Sequence, residues 1–238
     1  MALKTGEPAM PSPLFHRRVL LFIRAPEQGR VKTRLEKKLG AATVLALYRC
    51  FVEDIIETIS AGGYELMVFF SPPDKASVVR EWLGETIPIR PQTGRTLGEK
   101  MRNAFSYVFA ADVDQAILMG SDFPDLDPGI IAEAFAFLQK KEAVIGPAED
   151  GGYYLIGFRK DAFDGGVFSG IDWGTATVFR ETMQRFRDAN LGSHVLPSWR
   201  DIDTPDDLAA FHQRNRVNGP GRLKTMQLLK QLRPKGFE

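Results

Sequence analysis

The sequence predicts an α/β fold in which a mostly parallel, mixed sheet lies between two layers of helices. Short apolar runs of strand length alternate along the chain with longer stretches of helical periodicity. The first run, residues 19–23 (VLLFI), is apolar at every position, as expected of a strand covered on both faces. Polar segments containing glycine and aspartate follow several of the runs, and ligands of such sheets bind beyond the carboxyl ends of the strands.

Glycine and proline set the boundaries of the individual elements. The first long helical pattern ends at Gly62 and Gly63, the second strand is stopped by Pro72, and the fourth strand ends abruptly at Gly120. We expect strands over residues 19–23, 66–70, 87–89, 116–119, 143–145, 152–158 and 194–196, each a short apolar run. We expect helices over residues 40–60, 76–83, 96–110, 128–140, 175–189 and 205–214.

Length and composition fit one ordinary folded domain of 238 residues, of which 44% are hydrophobic and 26% charged. The net charge is +1, from 31 Lys and Arg against 30 Asp and Glu, so there is no basic field that would attract nucleic acid. The apolar runs are far shorter than the roughly 20 residues that a membrane span needs. We therefore expect neither a nucleic-acid nor a membrane partner, and the oligomeric state stays open.

The single cysteine, Cys50, excludes an intramolecular disulfide framework and a zinc site built from cysteines. It falls in an apolar helical pattern, which favours a buried small side chain over a reactive thiol. A chain with one unpaired thiol suits a reducing compartment, so we expect a cytoplasmic protein.

Both ends of the chain differ from the remainder. Residues 1–17 contain three prolines and no continuous apolar segment, and we interpret them as a loose leader and not a signal peptide. Residues 18–214 hold the alternating pattern and form the predicted domain. Residues 215–238 are a strongly basic tail, for which a solvated helix or partly ordered segment and a role in binding a partner or phosphate are both open.

The segment APEQGRVKTRL, residues 25–35, follows the first strand and combines a glycine with several cations. Gly29 permits a close backbone approach, and Arg30, Lys32 and Arg34 supply positive charge just before a helix. A polyphosphate needs such residues, because its charge must be neutralised before a nucleophile can approach. The glycine spacing is not that of a Walker loop. A phosphate-binding loop and a solvated basic turn are both compatible with the segment.

The segment LMGSDFPDLDP, residues 118–128, follows another predicted buried strand. Asp122 lies on its Gly-Ser turn, where a carboxylate is poorly placed for packing and well placed to bind a hard cation. Mg²⁺ usually takes one or two carboxylates together with substrate phosphates. Asp122 is therefore a candidate metal ligand. For Asp125 and Asp127, N-capping of the helix that begins at Pro128 is the stronger interpretation.

The segment WRDIDTPDDL, residues 199–208, reads as a helix start with Thr204 as N-cap, Pro205 at the first position and Asp207 completing a capping box. Capping does not explain Asp201 and Asp203, which lie upstream at the end of a short strand. Asp203 is therefore a candidate second metal ligand.

The turn EDGG, residues 149–152, lies between two predicted strands. Turn geometry alone would account for its composition. Alternatively, Asp150 and Gly151 belong to a turn that grips a hydroxylated acceptor or the water shell of a metal.

The segment QTGRTLGEKM, residues 92–101, is a glycine-bearing loop that leads into a helix. Arg95 and the backbone of Leu97 and Gly98 could hold a nucleobase or a phosphate, whereas an ordinary helix start explains the same residues equally well.

Two other chemistries find no support in the sequence. The three histidines, His16, His194 and His212, fall away from these loops, and neither G-x-S-x-G nor H-E-x-x-H occurs. No G-x-G-x-x-G follows the first strand, so a nicotinamide site is not indicated.

Taken in order, the motifs APEQGRVKTRL, PQTGRTLGEKM, GSDFP, GPAEDGGYYLIGF and DIDTPDDL resemble those of the bacterial DUF2064 family. That family is described as transferase-like and is placed in the nucleotide-diphospho-sugar transferase superfamily. More distantly, the layout is similar to 2-phospholactate guanylyltransferase and to the molybdenum cofactor nucleotidyltransferases. The resemblance extends over residues 19–211 and implies a single three-layer, Rossmann-like fold of the glycosyltransferase-A (GT-A) kind.

The resemblance also implies a site and a reaction class. Lys32 with Arg30 and Arg34 would contact phosphates, Asp122 would bind Mg²⁺ or Mn²⁺, and Asp203 matches the aspartate before Thr-Pro that supplies a second carboxylate in the relatives. We expect a metal-dependent transferase, with Lys32, Asp122 and Asp203 as its catalytic residues. The leading hypothesis is nucleotidyl transfer from a nucleoside triphosphate to a small acceptor. The alternatives are glycosyl transfer from a nucleotide sugar and nucleotide binding without turnover.

The chain departs from the cofactor nucleotidyltransferases in one motif. Those relatives have a Gly-Gly stretch with arginine after the first strand, where this chain has Ala25-Pro26. The choice of nucleotide is therefore not carried over.

Overall fold

A seven-stranded sheet forms the centre of the computed structural model, which describes residues 15–217 and 222–232. The strands are β1 Arg17–Arg24, β2 Glu65–Ser71, β3 Ile89–Pro91, β4 Gln115–Met119, β5 Ala143–Pro147, β6 Tyr153–Arg159 and β7 Ser193–Val195. The helices are α1 Thr33–Leu39, α2 Ala41–Ala61, α3 Ala76–Leu83, α4 Leu97–Phe109, α5 Pro128–Leu138, α6 Val178–Asp188, α7 Pro205–Val217 and α8 Lys224–Leu232. Among the described residues, no helix has both the length and the apolar character of a membrane span.

The strand order is β3-β2-β1-β4-β6-β5-β7, and the predicted mostly parallel, mixed sheet is confirmed. Only β6 runs antiparallel to its neighbours, β4 and β5, while the remaining pairs of strands are parallel. Strand β1 lies between β2 and β4, with Leu21 beside both Val68 and Met119. The carboxyl ends of β1 and β4 consequently meet at the same edge of the sheet.

Apolar side chains on alternate positions of β1 face the two helical layers. Val19, Leu21 and Ile23 pack into the cluster beneath α2, α3 and α5, whereas Leu20 and Phe22 pack into the cluster beneath α4 and α6. These side chains are at most 9% exposed, and burying one of this size stabilises the fold by about 1.5–3 kcal/mol. The three-layer arrangement is therefore as predicted.

Helix α1 and strand β3 are among the elements that differ from the sequence prediction. Helix α1 was not expected, and it is separated from α2 by Gly40, whose φ of 77° interrupts the helix. Strand β3 begins at Ile89, two residues later than expected, because Pro88 has no N–H to donate to the sheet. The capping predictions for Thr204 and Asp207 are confirmed: the Asp207 carboxylate accepts from Thr204 N at 2.8 Å.

Of the predicted leader, residues 1–17, residues 1–14 lie outside the described residues. Strand β1 begins at Arg17. Of the predicted basic tail, residues 218–221 and 233–238 lie outside the described residues. The boundary expected after residue 214 falls inside α7, which continues to Val217.

Helix α8 corrects the interpretation of residues 224–232 as a solvated or partly ordered segment. Met226 and Leu229 are buried against α2 and α7 in a third apolar cluster that also contains Leu35 of α1 and Phe211. Asp54 of α2 fixes the first turn of α8 by accepting from Lys224 N at 2.7 Å and from Thr225 N at 3.0 Å. Apolar residues at helical spacing therefore dock this basic segment on the domain.

Candidate active site

Three segments that follow strands converge at the carboxyl edge of the sheet. Residues 25–32 follow β1, residues 120–127 follow the adjacent β4, and residues 196–204 follow β7. The last segment runs back across the edge, because Trp199 N donates to Pro147 O and Ile202 N donates to Asp122 O at 3.1 Å each. Asp203 therefore lies beside Asp122 although β7 is an edge strand.

Lys32 lies between these two aspartates. Its Nζ is 2.8 Å from Asp122 Oδ1 and 2.7 Å from Asp203 Oδ1, and its side chain is only 5% exposed. Burial lowers the pKa of this lysine, but the charges of Asp122 and Asp203 more than offset that effect, and the pKa is raised above its ordinary value. Lys32 is accordingly a cation held by two acceptors at the predicted site.

The backbone of Lys32 supports this position. Its φ of 48° and ψ of 42° are left-handed, which non-glycine residues rarely adopt, and it stands immediately before α1. Leu35, one turn later, is fully buried in the third apolar cluster and holds α1 in place. The packing of α1 thus stabilises an otherwise unfavourable conformation at the site.

A cavity of about 650 Å³, called here the main cavity, opens beside Lys32. Five cationic side chains and only two acidic ones line it. The cations are Arg24, Arg30, Lys32, Arg34 and Lys100, and the acids are Asp122 and Asp203. Of the predicted phosphate contacts, Arg30, Lys32 and Arg34 line this cavity, and Arg34 also lies 3.2 Å from Asp203.

The main cavity includes residues that the sequence did not indicate. Gln92 donates both amide N–H groups to backbone carbonyls, at 3.2 Å to Ile23 and 3.0 Å to Phe69, which fixes the orientation of its amide. Tyr48 accepts from Arg24 N at 2.8 Å and donates to Arg24 O at 3.1 Å, and burial raises the pKa of its phenol. Gln92 is the first residue of the segment QTGRTLGEKM, but no role was expected of its side chain, and no motif marks Tyr48. Tertiary packing brings both residues to the main cavity.

A second cavity of about 370 Å³, called here the side cavity, adjoins the main cavity and shares Arg34 and Asp203 with it. Asp150 lines it and accepts from Gly152 N at 2.8 Å. Burial and the nearby charge of Asp150 raise the pKa of Asp201 to about 6. Five acidic side chains face two arginines here, so the side cavity has the opposite charge balance to the main cavity.

The remaining residues proposed from the sequence are only partly brought to the main cavity. Leu97 lines the main cavity and is 46% exposed, whereas Arg95 and Gly98 do not line it. Gly98 is covered by Phe168 and Trp173. Gly151 has a φ of 90° and is packed against the backbone of Ala176.

The two other aspartates of the β4 loop are structural, but the capping interpretation made for both is confirmed only for Asp127 and is wrong for Asp125. Asp127 is the N-cap of α5 and accepts from Gly129 N at 2.7 Å. Asp125 does not cap that helix: it is bound by Arg214 at 2.6 Å and Asn215 at 2.7 Å, because α7 packs over the loop.

The donor set at Lys32 suits a hard divalent cation. Asp122 and Asp203 present carboxylate oxygens that converge on one point, and oxygen is the ligand that Mg²⁺ and Mn²⁺ favour. Within the described residues, no group of three or more His, Cys, Asp or Glu side chains is arranged to hold a metal ion. The residues fit a divalent cation that is held by two protein carboxylates together with substrate phosphates.

The sheet order and the loops at its carboxyl edge define the fold class as that of the GT-A-like nucleotide transferases. Residues 55–175 match the model of the DUF2064 family, whose description is "Uncharacterized protein conserved in bacteria". The chain belongs to the DUF2064 family. No curated protein matches it.

Solved structures extend the comparison. A protein from Desulfovibrio desulfuricans G20, provisionally described as a nucleotide-diphospho-sugar transferase, is 38% identical with a TM-score of 0.89, and the match covers 93% of this chain and 96% of that one. The inositol-1-phosphate CTP transferase of T. maritima is 14% identical with a TM-score of 0.54, covering 91% and 97%. Rv0371c of Mycobacterium tuberculosis H37Rv, in complex with manganese, is 14% identical with a TM-score of 0.50, covering 82% and 97%. The last two similarities concern the fold alone.

Proposed function

We propose that this protein is a divalent-metal-dependent nucleotidyltransferase that moves a nucleotidyl group from a nucleoside triphosphate to a small acceptor. The observation that carries the proposal is the charge of the main cavity, where five cations outnumber two carboxylates at the carboxyl edge of the sheet. A triphosphate carries the complementary charge, and its volume is compatible with a cavity of about 650 Å³.

In the proposed reaction, an oxygen of the acceptor attacks the α-phosphorus in line. A new P–O bond forms, the bond between the α-phosphorus and the bridging oxygen breaks, pyrophosphate leaves, and the proton of the attacking hydroxyl passes to solvent. Lys32, Arg34 and Arg30 bind phosphate oxygens and stabilise the charge that builds up on the leaving group. When bound at Asp122 and Asp203, Mg²⁺ or Mn²⁺ would supply further charge neutralisation. Catalysis then rests on position and electrostatics, without a covalent enzyme intermediate.

The side cavity suits the acceptor. It meets the main cavity at Arg34 and Asp203, and its excess of carboxylates disfavours an anionic acceptor. Glu149 and Asp150 offer hydrogen-bond acceptors to hydroxyl groups. A neutral, hydroxylated small molecule is therefore the acceptor class that we propose.

Glycosyl transfer from a nucleotide sugar is a second candidate, and the description of the 38% identical relative favours it. The two reactions differ in their products. Nucleotidyl transfer releases pyrophosphate from a triphosphate, whereas glycosyl transfer releases a nucleoside diphosphate from a sugar donor.

The test is binding of each nucleoside triphosphate and nucleotide sugar by calorimetry, with Mg²⁺ and with EDTA, followed by product analysis with a panel of hydroxylated acceptors. We expect triphosphate binding that weakens with EDTA and with Asp122→Asn. Arg34→Gln should weaken it roughly tenfold, since a hydrogen bond between charged groups contributes about 1.5–3 kcal/mol.

Lys37→Gln is the matched control, because Lys37 is an exposed cation on the same helix that does not line the main cavity. Equal losses from the two substitutions, or affinity that is unchanged by EDTA, would contradict the proposal. If a triphosphate binds but no acceptor in the panel leads to pyrophosphate release, the result would favour a nucleotide-binding protein without turnover.

A further inference from the structure

We propose that Lys32 excludes the divalent cation from Asp122 and Asp203 until a polyphosphate draws its ammonium group away. Metal and nucleotide would then bind in a coupled manner, with little metal binding to the nucleotide-free protein. The inference rests on the proposed function, since it assigns to the same site the order in which its ligands enter.

The ammonium group of Lys32 occupies the place that the metal would take. Lys32 Nζ lies within 2.8 Å of one oxygen from each carboxylate. A Mg²⁺ ion bound to the same two oxygens would lie about 2.1 Å from each. Both cations would then occupy the same space between the carboxylates, so the ion can enter there only after Nζ has moved.

Lys32 is held firmly in the nucleotide-free protein. Its side chain is 5% exposed, its backbone has a left-handed conformation, and the adjoining α1 is anchored by buried Leu35. Arg34 contacts the second oxygen of Asp203 at 3.2 Å and restrains that carboxylate as well. Removing Nζ without offering it another anion would leave a buried charge unpaired, which is strongly unfavourable.

A polyphosphate removes the penalty of leaving the buried charge of Lys32 unpaired. The main cavity adjoins Lys32 and is lined by four further cations, so phosphate oxygens in it lie within reach of the ammonium group. Nζ exchanges carboxylate partners for phosphate partners, and the freed carboxylates gain the metal. Because coupling between two ligands is reciprocal, each ligand strengthens the binding of the other, typically by about 5- to 150-fold.

The experiment measures Mn²⁺ binding by electron paramagnetic resonance, without any nucleotide, in the full chain and three variants. Lys32→Met removes the charge at similar side-chain length, and Lys32→Arg keeps the charge. We expect Lys32→Met to bind Mn²⁺ at least fivefold more tightly than the unaltered protein, and Lys32→Arg to bind it no more tightly. The double variant Lys32→Met with Asp122→Asn should lose the gain, because it lacks one of the two carboxylates.

A gain in Lys32→Met that survives Asp122→Asn would overturn the proposal, as would the absence of any gain in a folded Lys32→Met protein. The unaltered protein offers an independent test with pyrophosphate as the probe. Water-proton relaxation should report bound Mn²⁺ only weakly with the metal alone and strongly when pyrophosphate is added. Equal Mn²⁺ affinity with and without pyrophosphate also overturns the proposal, whether or not the variants fold.

These outcomes are separable from those of the proposed function. The gain in Mn²⁺ affinity needs no nucleotide and no turnover, so it can appear even if no triphosphate is a substrate. Conversely, pyrophosphate release can be observed while Lys32→Met shows no gain.

Discussion

The ammonium group of Lys32 lies 2.7 Å from Asp203 Oδ1, and 171 positions separate these residues in the sequence. The pair connects the loop after the interior strand β1 to the segment that returns from the edge strand β7. One ionic contact therefore joins the two sides of the candidate site.

We expect Asp203→Asn to lower the free energy of unfolding by about 1–2 kcal/mol. Loss of one partner of a buried lysine is costly, but Asp203 is 41% exposed and Asp122 remains, so water and the second carboxylate reduce the effect. Denaturant unfolding measures the change. Asp206→Asn is the control, since it removes the same charge from an exposed position three residues away. Equal effects from both substitutions would show that the contact with Lys32 contributes nothing.

Gly151→Ala should destabilise the protein more than Gly174→Ala. Both glycines have a φ of 90°, so alanine is strained at either position by about 1–2 kcal/mol. A Cβ at Gly151 would also overlap the carbonyl oxygen of Ala176, whereas none of the described atoms lies within 4 Å of a Cβ at Gly174. The expected difference in the free energy of unfolding is about 1–3 kcal/mol. If the two variants unfold alike, the EDGG turn is not packed as described.

Asp54→Ala should detach helix α8. The Asp54 carboxylate accepts from the backbone of Lys224 and Thr225 and from the Thr225 hydroxyl at 2.6 Å, so alanine leaves the first turn of α8 without its acceptor. We expect a loss of about 2 kcal/mol and faster hydrogen exchange in α8 than in the sheet. Glu57→Ala, at an exposed position one turn along α2, should change neither quantity. An unaltered exchange rate in α8 for Asp54→Ala would contradict this role.

Cys50 should react slowly in the native protein. Burial, together with the charges of Asp54 and Glu53, raises the pKa of its thiol to about 11, against about 8.5 in an unfolded chain. At pH 8 only about 0.1% of the native thiol is ionised, and the thiolate is the reactive form. Iodoacetamide alkylation should therefore be far slower in native than in denatured protein, and should accelerate with pH up to about 11.

The raised pKa of Cys50 also makes the free energy of unfolding depend on pH in a defined direction. A thiol whose pKa is raised by folding contributes stability that is fully present below pH about 8.5 and is lost as pH rises towards about 11. Cys50→Ser is the control, because it should flatten this part of the stability curve. Rapid alkylation of the native protein at pH 8 would contradict the description of Cys50.

Most of the sheet could be predicted from the sequence, and so could the candidate chemistry of its loops. The strand over 19–23 was visible because it is buried on both faces, and Asp122 and Asp203 stood out because neither packing nor capping accounts for them. Lys32 was marked by its place after the first strand. Its contact with both carboxylates was not predictable, since it depends on how residues 196–204 return across the sheet edge.

Other features lacked a local signal. Gln92 and Tyr48 reach the main cavity through packing of β2, β3 and α2. Gln92 opens a segment that the sequence marked, but nothing indicated that its own side chain faces the cavity, and the neighbours of Tyr48 are those of an ordinary core residue. The charge of residues 215–238 obscured the apolar face of α8, because the short apolar stretch that contains Met226 and Leu229 is flanked by Lys224 and Lys230. Gly98 resembled a loop glycine of a ligand site, but the close approach of Phe168 and Trp173 explains it.

The third apolar cluster links helix α8 to the loop of the proposed phosphate contacts. Leu35 shares this cluster with Met226 and Leu229, and it stands three residues after Lys32. Deleting α8, or attaching a bulky tag within it, would therefore loosen α1 and the loop that positions Lys32. Protein engineering at that end of the chain is best checked by ligand binding as well as by yield.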